Sequence, residues 1–175
     1  KVTAGFALFA AACTSHPSSP APTTSHAALT SFPNLDRYVL VTGHDYDVQE
    51  RTGTAEDFST ADGIRCSING YTAMSCSTPF PLPGTNSGST DTSCTWVGPD
   101  SVPLQDRDPH PYLFRQSNTS CTSGPLEKQL PNGSKINYDA QGVTYFTCAA
   151  DTNLVACIDD QKHGFVLQPS HSWTF

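Results

Sequence analysis

Gly63-Ile64-Arg65-Cys66-Ser67-Ile68-Asn69-Gly70, continued by Tyr71-Thr72-Ala73-Met74-Ser75-Cys76-Ser77, is the stretch from which the fold class is read. Residues 63–68 alternate apolar and polar side chains with period two, which suits a half-buried strand and not a helix. Asn69-Gly70 is a two-residue hairpin signal, because both residue types tolerate positive φ. Residues 71–77 then return as the antiparallel partner. Cys66 and Cys76 fall on adjacent strands, close enough to pair if the register brings them opposite each other.

The same pattern recurs outward from this hairpin. Residues 135–138, 143–149, 155–159 and 164–168 read as four strands, with Asp151-Thr152-Asn153 turning between the middle pair and setting Cys148 against Cys157. Residues 94–97 and 112–116 are two further short strands, and Pro131-Asn132-Gly133-Ser134 is a turn. Upstream, residues 38–42 (YVLVT) form a β-branched and aromatic run that predicts a strand, with a turn at Gly43. The single glycine there, with no helix signal after it, excludes a dinucleotide-binding start. Residues 79–93 are rich in Pro, Gly, Ser and Thr and read as a long loop, and residues 100–111 as irregular structure. Only residues 54–58 and 125–130 offer a turn or two of helix. The expected class is all-β: antiparallel hairpins forming a small sandwich or open barrel, stapled by disulfides, with little helix.

The chain has seven cysteines, and six remain when Cys13 is set aside: Cys66, Cys76, Cys94, Cys121, Cys148 and Cys157. Six cysteines allow fifteen connectivities. Hairpin geometry favours Cys66–Cys76 and Cys148–Cys157, which leaves Cys94–Cys121. Zinc sites carry close Cys-x2-4-Cys pairs, whereas nine residues separate Cys66 from Cys76 and eight separate Cys148 from Cys157. No metal is expected.

Cys13 is preceded by Lys1 and the apolar run VTAGFALFAAA, residues 2–12. A basic start, a short apolar core and small residues before a cut describe an export leader. The run is too short to span a bilayer, which takes about 20 residues. With Cys at the cut, the pattern resembles the lipobox of bacterial lipoproteins, whose Cys takes diacylglycerol on its sulfur. Ala10-Ala11-Ala12 departs from the Leu-like residue usual three positions before that Cys, and Ala-x-Ala also suits ordinary signal peptidase. The organisation read here is a partial signal peptide (1–12), a lipidated Cys13 at the head of a disordered Ser/Thr/Pro tether (13–31), and a disulfide-stapled β domain (32–175). Removing Lys1 with the leader leaves 8 basic and 16 acidic side chains, net −8. That balance argues against nucleic acid as a partner and against electrostatic grip on anionic headgroups. Membrane attachment is expected through acyl chains on Cys13; otherwise the protein is secreted.

From Phe58 onward the chain resembles a group of small exported proteins and lipoproteins of mycobacteria and related actinobacteria. The residues that carry the likeness are Phe58-Ser-Thr-Ala-Asp-Gly63-Ile-Arg-Cys66-Ser-Ile, Gly142-Val-Thr-Tyr-Phe-Thr-Cys148, Ala156-Cys157, His163-Gly164-Phe165 and the aromatic end Trp173-Thr174-Phe175. The resemblance implies an envelope location and a disulfide-bonded β fold. It implies no particular enzymatic activity.

Catalytic and binding chemistry can be weighed residue by residue. His44, His110, His163 and His171, with the many Asp and Ser, supply hydrolase candidates, but no Gly-x-Ser-x-Gly elbow, HExxH or matched Ser-x-x-Lys set is present. His163 reads more simply as a turn residue, His44-Asp45 as a solvated turn, and His16 and His26 as tether. Asp106-Arg107-Asp108 and Asp159-Asp160 lack the glycine and glutamate placement of a calcium loop. Phe80, Trp96, Tyr112, Phe114, Trp173 and Phe175 stand among Pro-rich loops or at the terminus, where aromatics can line a groove for an acyl chain, a glycan or a partner protein. Ordinary packing is the plainer account of them. The function expected is a cell-envelope lipoprotein that binds or braces an unknown envelope ligand or protein, with no cofactor. The alternatives are a hydrolase using loop His and Asp residues, and an accessory subunit of a membrane complex.

Overall fold

A computed structural model describes residues 30–50, 53–69, 73–80, 94–99, 112–117, 121 and 127–175. Their strands are β1 (Val39–Leu40), β2 (Asp47–Glu50), β3 (Gly53–Ser59), β4 (Arg65–Asn69), β5 (Ala73–Thr78), β6 (Cys94–Pro99), β7 (Tyr112–Ser117), β8 (Ser134–Ala140), β9 (Val143–Asp151), β10 (Leu154–Asp159), β11 (Gly164–Leu167) and β12 (Trp173–Thr174). They form two six-stranded sheets, in the orders β2-β3-β4-β5-β6-β7 and β1-β8-β9-β10-β11-β12. From β2 to β7 and from β8 to β12 each strand pairs antiparallel with the next, and β1 joins its sheet parallel to β8. The sheets face each other as a sandwich across a core that includes Phe58, Ile64, Ile68, Met74, Val97, Ile136, Val155, Phe165 and Leu167.

The inward face sets the register of the first hairpin. Cys66 pairs with Cys76, Ile68 with Met74 and Asn69 with Ala73. A two-residue Asn69-Gly70 turn would have set Ile68 against Tyr71 and carried Met74 and Cys76 to the outer face beside Arg65. A slip of one residue inverts every side chain of a strand, so burial of Met74 and Cys76 selects the observed pairing. Residues 70–72, which make the connection, lie outside the described residues. The β9–β10 hairpin does turn on two residues, Thr152 and Asn153, and pairs Cys148 with Cys157. At the β8–β9 hairpin Gln141 and Gly142 both have positive φ, 52° and 79°, the combination a two-residue primed turn demands.

Three disulfides staple the sandwich. Cys66–Cys76 and Cys148–Cys157 join directly opposed residues, with Cα atoms 4.0 and 4.1 Å apart, and Cys94–Cys121 ties the start of β6 to the chain beyond β7. The first two meet in the core, one from each sheet. The sulfurs of Cys66, Cys76 and Cys157 lie within 4.8 Å of one another, and Cys148 Sγ touches Met74 Sδ at 3.4 Å. As disulfide sulfurs they lack the thiolate charge that metal binding requires.

β10 and β11 are apolar on both faces. Val155, Cys157, Phe165 and Leu167 enter the main core, while Leu154, Ala156 and Val166 are covered on the other side by Phe32, Trp173 and Phe175. Phe32 and the C-terminal Trp173 and Phe175 therefore form a lid on the outside of this sheet, with Phe32 and Phe175 edge to face at 5.1 Å.

Several local expectations are corrected. Residues 54–58 are strand, not helical turn: they lie in β3, which is hydrogen-bonded between β2 and β4, and the pairing overrides weak local preference. Residues 127–130 of the second expected helical segment are extended along Ser59, whose N–H donates to Lys128 O at 3.1 Å and whose carbonyl accepts from Leu130 N–H at 2.8 Å. The strand expected over residues 38–42 shrinks to β1, an exposed edge, because the chain enters a 3₁₀ turn at Gly43–Tyr46. β2 and β12 were not anticipated.

Candidate functional site

The chain crosses between the sheets twice at one rim. The 3₁₀ turn Gly43–Tyr46 leads from β1 into β2, and residues 127–130 lead from the other sheet back to β8. The crossings are tied together. Tyr46 OH donates to Gln129 O at 3.3 Å, and Lys128 Nζ lies 3.3 Å from Asp45 Oδ2 and 4.8 Å above the Tyr46 ring. Under this rim sits the most anomalous side chain among the described residues, Glu56.

Strand alternation places Glu56 on the same face as Phe58, opposite Ile68 on β4 and Asp47 on β2. A carboxylate thus points into the sandwich. It is 5% exposed, and its Oε2 is buried without a hydrogen bond. The other oxygen presses on Gly43: a Cβ at that glycine would lie 2.7 Å from Glu56 Oε1 and 2.9 Å from the Asn137 carbonyl oxygen. Only glycine allows so close an approach. His44 Nδ1 pairs with Asp47 Oδ2 at 3.1 Å at the solvent edge. Burial, then the neighbouring Asp47 and Asp139, push the Glu56 carboxyl up to about 7, with His44 pulling the other way.

A carboxyl whose folded value lies above its unfolded one holds its proton longer in the folded state. Its contribution is therefore complete below about pH 4.5 and is lost as the pH rises to about 7, a decline on the order of 2 kcal/mol. Urea melts of wild type and Glu56→Gln in chelator, at about pH 5 and about pH 8, should show the variant gaining relative stability at the higher pH. Equal pH slopes would remove Glu56 as the titrating group.

A second polar cluster joins the sheets at Asp159. Tyr112 OH donates to Asp159 Oδ2 at 3.3 Å, and the Tyr112 ring meets Phe165 edge to face at 5.5 Å. Burial, with the adjacent Asp159, holds the phenol far above its usual range, so it stays a neutral donor. Asp159 Oδ1 accepts the backbone N–H of His163 at 2.8 Å, while His163 Nδ1 stands 3.7 Å from Oδ2. The carboxylate thus closes the β10–β11 turn, and His163 serves that turn. His171 follows β11 whereas His163 precedes it, so the two imidazoles sit at opposite ends of one strand, and His44 lies on the 3₁₀ turn. The three histidines belong to three separate turns. His110 lies outside the described residues, as do Cys13 and residues 14–29 of the tether.

The six aromatic candidates divide among three surroundings. Phe80 and Tyr112 are buried in the main core, with Phe114 packed against it. Trp96 lies along β6 over Gly98 and under the Arg115 guanidinium, 5.6 Å from the ring centre. Trp173 and Phe175 cover the outer face of β10 and β11. They are divided among these places rather than gathered in one groove. Glu56, Asp47 and Asp139 were not singled out from the sequence, and Gly43 was read only as a turn. The available signal was Glu56 two residues before Phe58, which strand periodicity alone would have put on the buried face.

In comparison with known proteins, no family model matches this chain, no curated protein matches it, and no solved structure matches it.

Proposed function

We propose that this protein is an exported cell-envelope module, anchored by acyl chains on Cys13, that binds or braces an envelope partner. The observation that carries the reading is the trio of disulfides, two of them facing each other in the core. Structural disulfides form and persist in oxidising, extracytoplasmic compartments. Among the described residues no helix is long and apolar enough to cross a membrane, so a leader and acylated Cys would supply the attachment. Of the histidines expected for a hydrolase, the described ones (His44, His163 and His171) stand on separate turns, and Asp159 is engaged in closing the turn that holds His163. That favours binding over turnover. The likeness to small exported actinobacterial proteins agrees with the same placement.

The test is intact mass spectrometry of the full chain recovered from the membrane fraction of its own host. The expected mass carries acyl chains at Cys13 and three intact disulfides. An unmodified mass beginning at Cys13, recovered from the medium, would overturn the anchor and leave a secreted domain.

A further inference from the structure

We propose that the four core cysteines form a thiol–disulfide exchange centre, in which Cys157, once freed by a thiol reductant, attacks Cys66–Cys76 and carries the surviving bridge across the sandwich. The inference goes beyond the envelope reading and does not depend on it.

The first ground is proximity. Cys157 Sγ lies within 4.8 Å of the sulfurs of both Cys66 and Cys76, which belong to the opposite sheet. Exchange requires a thiolate with access to a disulfide sulfur, and passes through a mixed disulfide. The meeting follows from strand alternation. Cys66 and Cys76 oppose each other on β4 and β5, Cys148 and Cys157 on β9 and β10, and all four enter the main core.

The second ground is asymmetry. Cys148 Sγ lies outside that trio of sulfurs and rests against Met74 Sδ at 3.4 Å. A thioether has no disulfide bond to exchange. Of the two sulfurs in this bridge, Cys157 is therefore the one placed to react onward.

The step balances without an oxidant. A reductant thiolate attacks Cys148 Sγ, the bond to Cys157 breaks, and its electron pair leaves on Cys157 as thiolate. That thiolate attacks Cys66 or Cys76. A new S–S bond forms, the Cys66–Cys76 bond breaks, and the displaced cysteine leaves as thiolate and takes a proton from solvent. A second thiol of the reductant releases Cys148, so one disulfide passes to the reductant and the other changes position. All four cysteines are at most 3% exposed, so the reductant enters only during a local opening of the sandwich. The onward attack follows as the sheets close. The surviving bridge then ties β10 to β4 or β5, which fastens sheet to sheet where before it fastened strand to strand.

Cys148→Ala tests this, because it frees the Cys157 thiol with no reductant present. The full chain is used in a Cys13→Ser background, which removes the tether thiol. It is held at about pH 8.5, where a free cysteine is half thiolate, then quenched in acid, alkylated and mapped. Peptides joining Cys157 to Cys66 or Cys76 are expected in more than about a tenth of molecules, as bridges of comparable potential share the thiol. Cys157→Ala is the control, since it leaves the thiol on Cys148 beside Met74. It should give at least about tenfold less cross-sheet peptide, access being what differs. Wild type pulsed with about two equivalents of dithiothreitol per chain gives the same readout if either variant fails to fold. There the bridge from Cys157 should outnumber any from Cys148. Cys157 fully alkylated beside an intact Cys66–Cys76 in Cys148→Ala would overturn the centre. So would equal cross-sheet yields from the two variants, which mark scrambling through unfolded chains, or no cross-sheet bridge after the wild-type pulse.

Discussion

Reduction of the folded protein is expected to proceed in two steps and to end in an unfolded chain. Cys121 is partly exposed, whereas Cys66, Cys76, Cys148 and Cys157 are at most 3% exposed between the sheets. A thiolate reductant attacks only the sulfur it can reach, so Cys94–Cys121 opens first and the domain persists with two bridges. The core pair opens only when the sheets part. With sequence separations of 10, 9 and 27 residues, chain entropy assigns about 2.7, 2.6 and 3.6 kcal/mol to the three bridges. Together they approach 9 kcal/mol, against a typical total stability of about 5–15 kcal/mol for a domain. Loss of the first bridge should lower the melting point measurably. Loss of all three should abolish cooperative melting at 37 °C. Timed alkylation read by peptide mapping, alongside near-ultraviolet circular dichroism, follows both steps. Six alkylated thiols in a domain that still melts cooperatively at its original temperature would refute the argument.

The two core bridges also show why some of this fold is legible in the sequence. β8 to β11 are separated by short turn signals, and the run from Leu154 to Cys157 is apolar enough to be buried on both faces. Local pattern and tertiary role agree there. They disagree in the N-terminal sheet. Gly53–Ser59 carries Ala, Glu and Asp, which prefer helix or turns to strand, and becomes β3 only because neighbours pair with it on both sides. Asp47–Glu50 is polar, as an edge strand can be, and sends no periodic signal. Asn69-Gly70 is a strong turn pair, yet burial of Met74 and Cys76 overrides it.

Those misreadings hide the candidate site as well. While residues 54–58 are read as helical, Glu56 has no fixed relation to Phe58, and an acid among acids looks solvated. Once β3 is a strand, Glu56 must point inward, and its lack of a partner becomes the question. The close approach at Gly43 is a different matter. It depends on β8 arriving from about ninety residues further along the chain to bring the Asn137 carbonyl, and no local pattern announces that. The aromatic candidates fail to gather for the converse reason. Their positions relative to turns were visible, but which face each occupies follows from register, which only the paired strands define.

Gly164→Ala is expected to be among the most damaging single substitutions, although it adds one methyl group. A Cβ at this position would collide with the Cys157 carbonyl oxygen and lie 3.0 Å from both Ile158 Cα and the Phe175 ring. Two of these three are backbone atoms of β10, and Cys157 is held by its bridge to Cys148. The strand cannot step aside. Gly164 also exchanges both of its backbone hydrogen bonds with Phe175, at 2.9 and 3.0 Å, so displacing β11 would loosen the aromatic lid on the outer face. Overpacking of about 1–3 kcal/mol, joined to the loss of two hydrogen bonds at roughly 1 kcal/mol each, gives an expected cost of about 4 kcal/mol. The melting temperature should fall by more than about 8 °C. Gly142→Ala is the matched control. Nothing lies within 4 Å of its Cβ position, and only its φ of +79° resists the change, at a cost of about 1 kcal/mol. Thermal melts of the two variants should therefore differ widely, and a Gly164→Ala protein as stable as Gly142→Ala would show that β10 and β11 are not held as closely as this packing requires.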